Sequence, residues 1–364
     1  MKTKINRSEL NDALEILSKG TTNKQTMPIL TGILMETIED KLRLFSTDLV
    51  IGIETFVDCE IIESGGLVVP DQLLKNYINK LIDDTITIST KEHKLKVESS
   101  TGKIEFPGFR ADEFPTTSDY SNEPLILYQD DLKYLFDKTK FAVSQNSNET
   151  NSTLSSLKLK TENNGIITVG TNTYRLSYTK KDIDITDDLN VNLPLKTVDI
   201  LSKKLLSTGE VKIYQKEGML KFELDNYNVY SRIVQGEYPN YQIIMSTDND
   251  IKIKVDKEEL KLALERVALL NEEGVVKLNI NDDFIVVNEY NAQTGNAEDY
   301  VECEKTGEDL SININSKYMI DAIKSMDNNV MIIEGADSLK PLLIKEEDSD
   351  WKYIVMPVRE SSGF

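Results

Sequence analysis

The same residue patterns return along this chain about every 124 positions. Internal repetition of that kind constrains the fold before any local feature does. Three amphipathic stretches start near residues 8, 130 and 256, at spacings of 122 and 126. In the first, SELNDALEILSKG, the residues Leu10, Ala13, Leu14 and Leu17 fall on one helical face. Ser8 suits its N-cap and Gly20 its stop. Leu132, Leu135 and Phe136 mark the second stretch, and Leu260, Ala263, Leu264 and Val267 the third.

A second helix set follows the same ruler, starting at 70, 194 and 315. PDQLLKNYINKL carries Leu73, Leu74, Tyr77, Ile78 and Leu81; PLKTVDILSKKLL carries Val198, Leu201 and Leu205; NSKYMIDAIKSM carries Met319, Ala322, Ile323 and Met326. Pro70 and Pro194 suit a first helical turn, and Asn315 or Ser316 suits an N-cap. Between the helices lie alternating strands, such as Ile86 and Ile88, Val211 and Ile213, and Leu220, Phe222 and Leu224. Phe114-Pro115 and Tyr238-Pro239 stand 124 apart, as do Thr47 and Thr171.

These features predict an α+β chain of three tandem copies of one domain, each reading helix, strands, helix, strands. The helices share one face and antiparallel strands form the other layer. Turn formers in SNEPLI and STDNDI place the domains at 1–123, 124–248 and 249–364. Only 17 glycines occur in 364 residues, which argues for closely packed neighbours rather than flexible linkers.

Composition excludes several function classes. Two cysteines, Cys59 and Cys303, cannot build a disulfide scaffold or a four-cysteine zinc site. The single histidine, His93, sits in the alternating KEHKLKVES and reads as a solvated strand residue, which disfavours triad chemistry. No Walker A or GxGxxG sequence occurs. No apolar run reaches membrane-spanning length and no secretory h-region is seen, so the cytoplasm is the default compartment. No catalysis, cofactor or metal is expected. The net charge of −20 argues against nucleic acid binding by the whole surface. Yet the second helix set carries +1, +2 and +1, while the first carries −2, 0 and −1. Those lysines either line a face that attracts phosphate or are ordinary solvated helix residues.

Eight segments in order resemble the bacterial sliding clamp family, the beta subunit of DNA polymerase III. They are TMPILTGIL (26–34), STDL (46–49), FRADEFP (109–115), KFAVS (140–144), TVGTNTYRL (168–176), SRIVQGEYPNY (231–241), NSKYMIDAIK (315–324) and YIVMPVR (353–359). The resemblance implies clamp domains with helices lining the inside and antiparallel sheets outside. Two chains would close head to tail as a homodimeric ring around double-stranded DNA, without sequence readout. Lys24 matches a basic loop residue of the family; Lys75, Lys80, Lys196, Lys203, Lys204, Lys317 and Lys324 are DNA-facing candidates by helix location. Leu269 and Leu270 match seam positions, and Ile104 and Phe106 lie on the strand expected to meet them, unless all four are core.

The resemblance also implies a pocket between domains 2 and 3 for short motifs of the replicative polymerase, the clamp loader and other partners. Matching positions are Leu154, Thr171, Thr173, Tyr174, Arg175, Leu176, Pro239, Ile243, Ile244, Leu339, Pro341, Ile354, Val355, Met356, Pro357, Val358 and Arg359. Leu176, Ile244, Leu339, Ile354, Val355 and Met356 would form an apolar trough, and Arg175 would hold polar groups of the peptide. The alternative is that YIVMPV is a buried edge strand and Leu176 a core residue.

Three departures mark a divergent member. Asn172-Thr173 replaces the family's usual Asp and small residue. The segment Asn271–Val276 is short, so a rim aromatic has no match. Glu360–Phe364 extends past the usual end. A carboxylate-dependent hydrolase would concentrate acids at one nonrepeated position, which this chain does not do. A monomeric clamp-fold interaction scaffold that does not encircle DNA is the other alternative.

Overall fold

The computed structural model describes residues 1–359 except 23–26, 118, 146–151, 163, 185–187, 205–207, 247–248, 272 and 292–293. Lys24 and the extension 360–364 therefore lie outside the described residues. The chain forms two compact units, Met1–Asp130 with Lys203–Ile233, and Asp131–Ser202 with Val234–Phe364.

In the first unit, α1 (Arg7–Leu17) buries Leu10, Ala13, Leu14 and Leu17. Its cap is Asn6, whose side chain accepts from Ser8 N (2.9 Å) and Glu9 N (3.2 Å), so Ser8 lies inside the helix rather than capping it. Helix α2 (Asp71–Ile78) packs beside α1. The buried Asp71 carboxylate links them, accepting from Ser18 Oγ (2.6 Å) and Thr21 Oγ1 (3.0 Å). Pro70 immediately precedes α2, and Lys80 falls beyond its end. The 13-residue strand Ile51–Glu63 is the hub of the unit's sheet, pairing antiparallel with Lys2–Asn6, Lys41–Thr47 and Tyr227–Arg232. His93 is not within a strand. Glu92 and His93, with φ of 50° and 60°, form the two-residue turn joining Thr85–Lys91 to Lys94–Glu98. Positive φ at both positions matches the right-handed twist of a hairpin.

The second unit holds most of α3 (Gln129–Asp137) and α4 (Leu195–Lys204), together with α5 (Tyr241–Met245), α6 (Lys257–Val267) and α7 (Ser316–Ser325). Asp256 caps α6 and Asn315 caps α7. These two helices pack together over a core that includes Leu260, Leu264, Met319, Ile323, Trp351 and Tyr353. A 12-stranded antiparallel sheet backs the unit. At its centre, Arg175–Asp182 pairs with Lys352–Val355, which also pairs with Leu342–Lys345. YIVMPV thus supplies an interior strand, not an edge. The continuity of second-repeat and third-repeat strands here creates the candidate site.

Candidate peptide-binding site

The site begins at a tight turn. Thr171 Oγ1 donates to Arg175 O (2.7 Å) and accepts from Thr173 N (3.1 Å). Asn172 Oδ1 accepts from Tyr174 N (3.1 Å) and Arg175 N (3.0 Å). An Asx side chain thus satisfies the turn's amides, which explains why Asn serves where the family has Asp. The Asn amide adds a bond that a carboxylate cannot donate, from Nδ2 to the Tyr318 hydroxyl (3.3 Å). Thr173 holds φ at 74°, and Tyr174 beside it is exposed.

Beyond the turn, strand alternation sorts the side chains. Leu176 pairs with Ile354, and Ile354 with Leu343. All three join one apolar cluster with Ile167, Val169 and Tyr241, against which Tyr178, Tyr238, Ile244 and Met245 pack. Helix α5 walls this floor, and Ile243 stands out from it at 70% exposure. Opposite, Asp337 Oδ1 accepts from Leu339 N (2.8 Å) and Lys340 N (3.0 Å), presenting Leu339 at 74% exposure ahead of the half-buried Pro341. The C-terminal segment closes the frame. Met356 N donates to Tyr174 O (2.9 Å), and Val358 N donates to Asn313 O (2.8 Å). Met356, Pro357 and Val358 are half-buried and Arg359 is exposed. A neighbouring cavity of about 540 Å³ includes Leu339, Pro357, Val358 and Arg359 in its lining.

Val355, expected in the trough, and Arg175, expected to hold polar groups of the peptide, are placed elsewhere. Arg175 and Val355 point to the opposite face, because each is one residue out of step with the floor. Val355 is fully buried in the core under α6 and α7. The Arg175 guanidinium pairs with Asp321 on α7 (2.6 Å), donates to Phe141 O and lies over the Tyr318 ring (4.4 Å). These contacts tie its strand to α7 behind the apolar floor. Leu154 and Pro239 are half-buried flanking residues outside the apolar cluster. Leu343, Tyr241 and Met245 were missed in the sequence; the alternation in PLLIK and the run YQIIM were the available signals. Burial raises the Tyr178 phenol to about 12, with Tyr241 and nearby acids adding to the effect.

Of the candidate lysines, Lys80, Lys196, Lys203, Lys317 and Lys324 are exposed and Lys75 is half-buried. Lys204 lies over the Tyr227 ring at 5.3 Å, and desolvation pulls it below the usual lysine value. At the expected seam, Leu269 is 84% exposed, while Ile104 and Leu270 are half-buried. Phe106 is instead a core residue of this chain, edge-on to Tyr77 at 6.1 Å. Its strand, Lys103–Pro107, pairs on one side with Lys94–Glu98 and has no second strand partner among the described residues. Likewise 295–302 pairs only with Phe284–Asn291 among the described residues.

Three family models match in chain order: the DNA polymerase III beta subunit N-terminal domain over residues 1–118, the central domain over 126–240 and the C-terminal domain over 242–359. The chain belongs to the DNA polymerase III beta subunit family. The beta sliding clamp of Staphylococcus aureus is 30% identical over 369 residues, covering 97% of this chain and 96% of the relative. The Bacillus subtilis DNA polymerase sliding clamp superposes with a TM-score of 0.94 at 27% identity, covering 99% of each chain. The Pseudomonas aeruginosa DNA polymerase III subunit beta gives 0.93 at 26%, covering 99% of this chain and all of that one. Sliding clamp function in DNA replication follows from this membership, and clamps of this family are processivity factors rather than catalysts. No group of potential metal ligands occurs among the described residues, and none of their helices is long and apolar enough to cross a membrane.

Proposed function

We propose that this clamp acts in the cytoplasm as a non-enzymatic homodimer, closed head to tail around duplex DNA without sequence specificity. Its domains would span 1–123, 124–248 and 249–364. The unpaired edges at Lys103–Pro107 and 295–302, with exposed Leu269 nearby in sequence to α6, suit a seam made by strand addition. Lysines on α2, α4 and α7 supply phosphate attraction inside a chain of net charge −20. Topological linkage lets such weak contacts suffice.

The observation that carries the partner reading is the apolar floor Leu176–Ile354–Leu343, walled by Ile244 and rimmed by Leu339 and Met356. It fits the terminal apolar side chains of a short motif, as would a polymerase, clamp loader or other partner tail. Fluorescence polarisation with a labelled clamp-motif peptide tests it. Saturable binding weakened by Met356→Ala supports the site; unchanged affinity rejects it.

A further inference from the structure

The turn at Thr171–Arg175 has a counterpart in the first unit. Thr47 Oγ1 donates to Ile51 O (2.8 Å) and accepts from Leu49 N (3.0 Å). Asp48 Oδ1 accepts from Val50 N (3.0 Å) and Ile51 N (2.8 Å). Leu49 has φ of 71°, matching 74° at Thr173. Tyr230 faces Gly52 as Ile354 faces Leu176. Arg232 N donates to Val50 O (2.8 Å) as Met356 N does to Tyr174 O (2.9 Å). Every one of these correspondences is an offset of 124 residues. One backbone scaffold is built twice, and only its side chains differ.

In the first unit the scaffold encloses a cavity of about 220 Å³, lined by Phe45, Leu49, Val50, Met219, Tyr230 and Arg232 among others. Gly52 stands where Leu176 would fill the floor. A Cβ there would lie 3.0 Å from the Phe45 ring, so the ring covers the glycine and meets Tyr230 edge-on at 6.1 Å. The volume is below the about 300–1,000 Å³ of sites that enclose whole small molecules. It suits one or two apolar side chains of a peptide lying across the surface. Leu49 and Val50 make an apolar lip, 40% and 45% exposed. Arg232 replaces Met356 at the rim. Its side chain is exposed and has no ion-pair partner among the described residues. In a chain of net charge −20, a rim cation beside an apolar lip selects an acidic ligand.

We propose that this cavity is a second docking site, which takes a short extended peptide bearing an apolar side chain next to a carboxylate. It goes beyond the partner pocket and does not depend on DNA encirclement. The test uses the full chain with its other trough obstructed by Ile244→Arg. The probe is fluorescein-Gly-Gly-Ile-Leu-Asp with an amidated end, and the control replaces its Asp with Asn. Binding should persist in Ile244→Arg, fall about tenfold or more with Arg232→Glu or Val50→Asp, and fall similarly for the Asn control. Hydrogen exchange should slow at the amides of 47–52 and of Thr116 and Thr117 when the Asp peptide is added. Loss of binding through Ile244→Arg alone, equal affinity for the Asn control, or no saturation at millimolar peptide would each overturn the proposal. Protection of 47–52 that grows with protein concentration without peptide would assign the cavity to a second copy and also overturn it.

Discussion

Lys138 and Glu346 form an ion pair at 3.0 Å with side chains only 5% and 1% exposed. Lys138 leaves the end of α3 and also donates to Ser325 O (2.6 Å), while Glu346 Oε2 accepts from Asp327 N (2.8 Å) and Asn328 N (2.6 Å). Trp351 seals the pair: the ammonium lies 5.3 Å from its ring, and its Nε1 donates to Lys138 O (3.1 Å). This is a rivet between second-repeat and third-repeat segments of one unit. Replacing Lys138 by Met strands a buried carboxylate and should cost about 3–5 kcal/mol in chemical denaturation. The double variant Lys138→Met, Glu346→Gln should recover part of that loss. Additive losses in the double-mutant cycle would show that the two side chains are not coupled.

The turn at Asn172 gives a second prediction. Thr173 is β-branched and held at φ of 74°, a conformation that costs an L residue about 1–2 kcal/mol. Thr173→Gly should raise stability by about 0.5–1 kcal/mol, since glycine gives back part of the gain in chain entropy. Thermal unfolding measures it, and a lowered midpoint would mean that the Thr side chain makes a compensating contact.

Separation of affinity from stability is the third. Met356 and Ile244 are half-buried, so truncation to Ala should lower motif-peptide affinity about tenfold, near 1.4 kcal/mol, with little effect on folding. Arg175→Ala should do the reverse, because its guanidinium faces Asp321 and Tyr318. Calorimetry and unfolding on the same three variants distinguish the two behaviours.

Alkaline pH supplies the fourth. Burial pushes the Tyr178 phenol up to about 12 in the fold, from an ordinary value of 10.0. Between these values the unfolded chain has lost its proton and the folded chain retains it, so stability is complete below pH 10 and declines as pH approaches 12. Tyr178 is half-buried, so after discounting for solvent its share is about 1–2 kcal/mol. Tyr178→Phe should flatten the stability profile in that window. An unchanged slope would place the loss on other groups; Tyr230, Tyr238 and Tyr353 are also raised by burial.

How far the sequence carries depends on the kind of information. The helices were legible because Leu10, Leu14 and Leu17, or Leu260 and Leu264, repeat a facial period that only burial on one side explains. The strand order was not, since pairing across some 180 residues, as between Leu176 and Ile354, leaves no local trace. Only their place in a motif points Arg175 and Val355 toward the pocket. The two-residue alternation of a strand puts them on the far face from Leu176 and Ile354. The Lys138–Glu346 pair leaves no signal in the sequence, because in an acidic chain a single buried carboxylate looks like any surface one.

The proposed hold on DNA is encirclement. The most direct measurement loads the purified protein onto nicked circular and linearised plasmid of the same sequence and follows retention on gel filtration at raised salt. A dimer retained on the circle and lost from open ends of the linear form is the expected result. Equal escape from both, or a monomer that stays on neither, would contradict it.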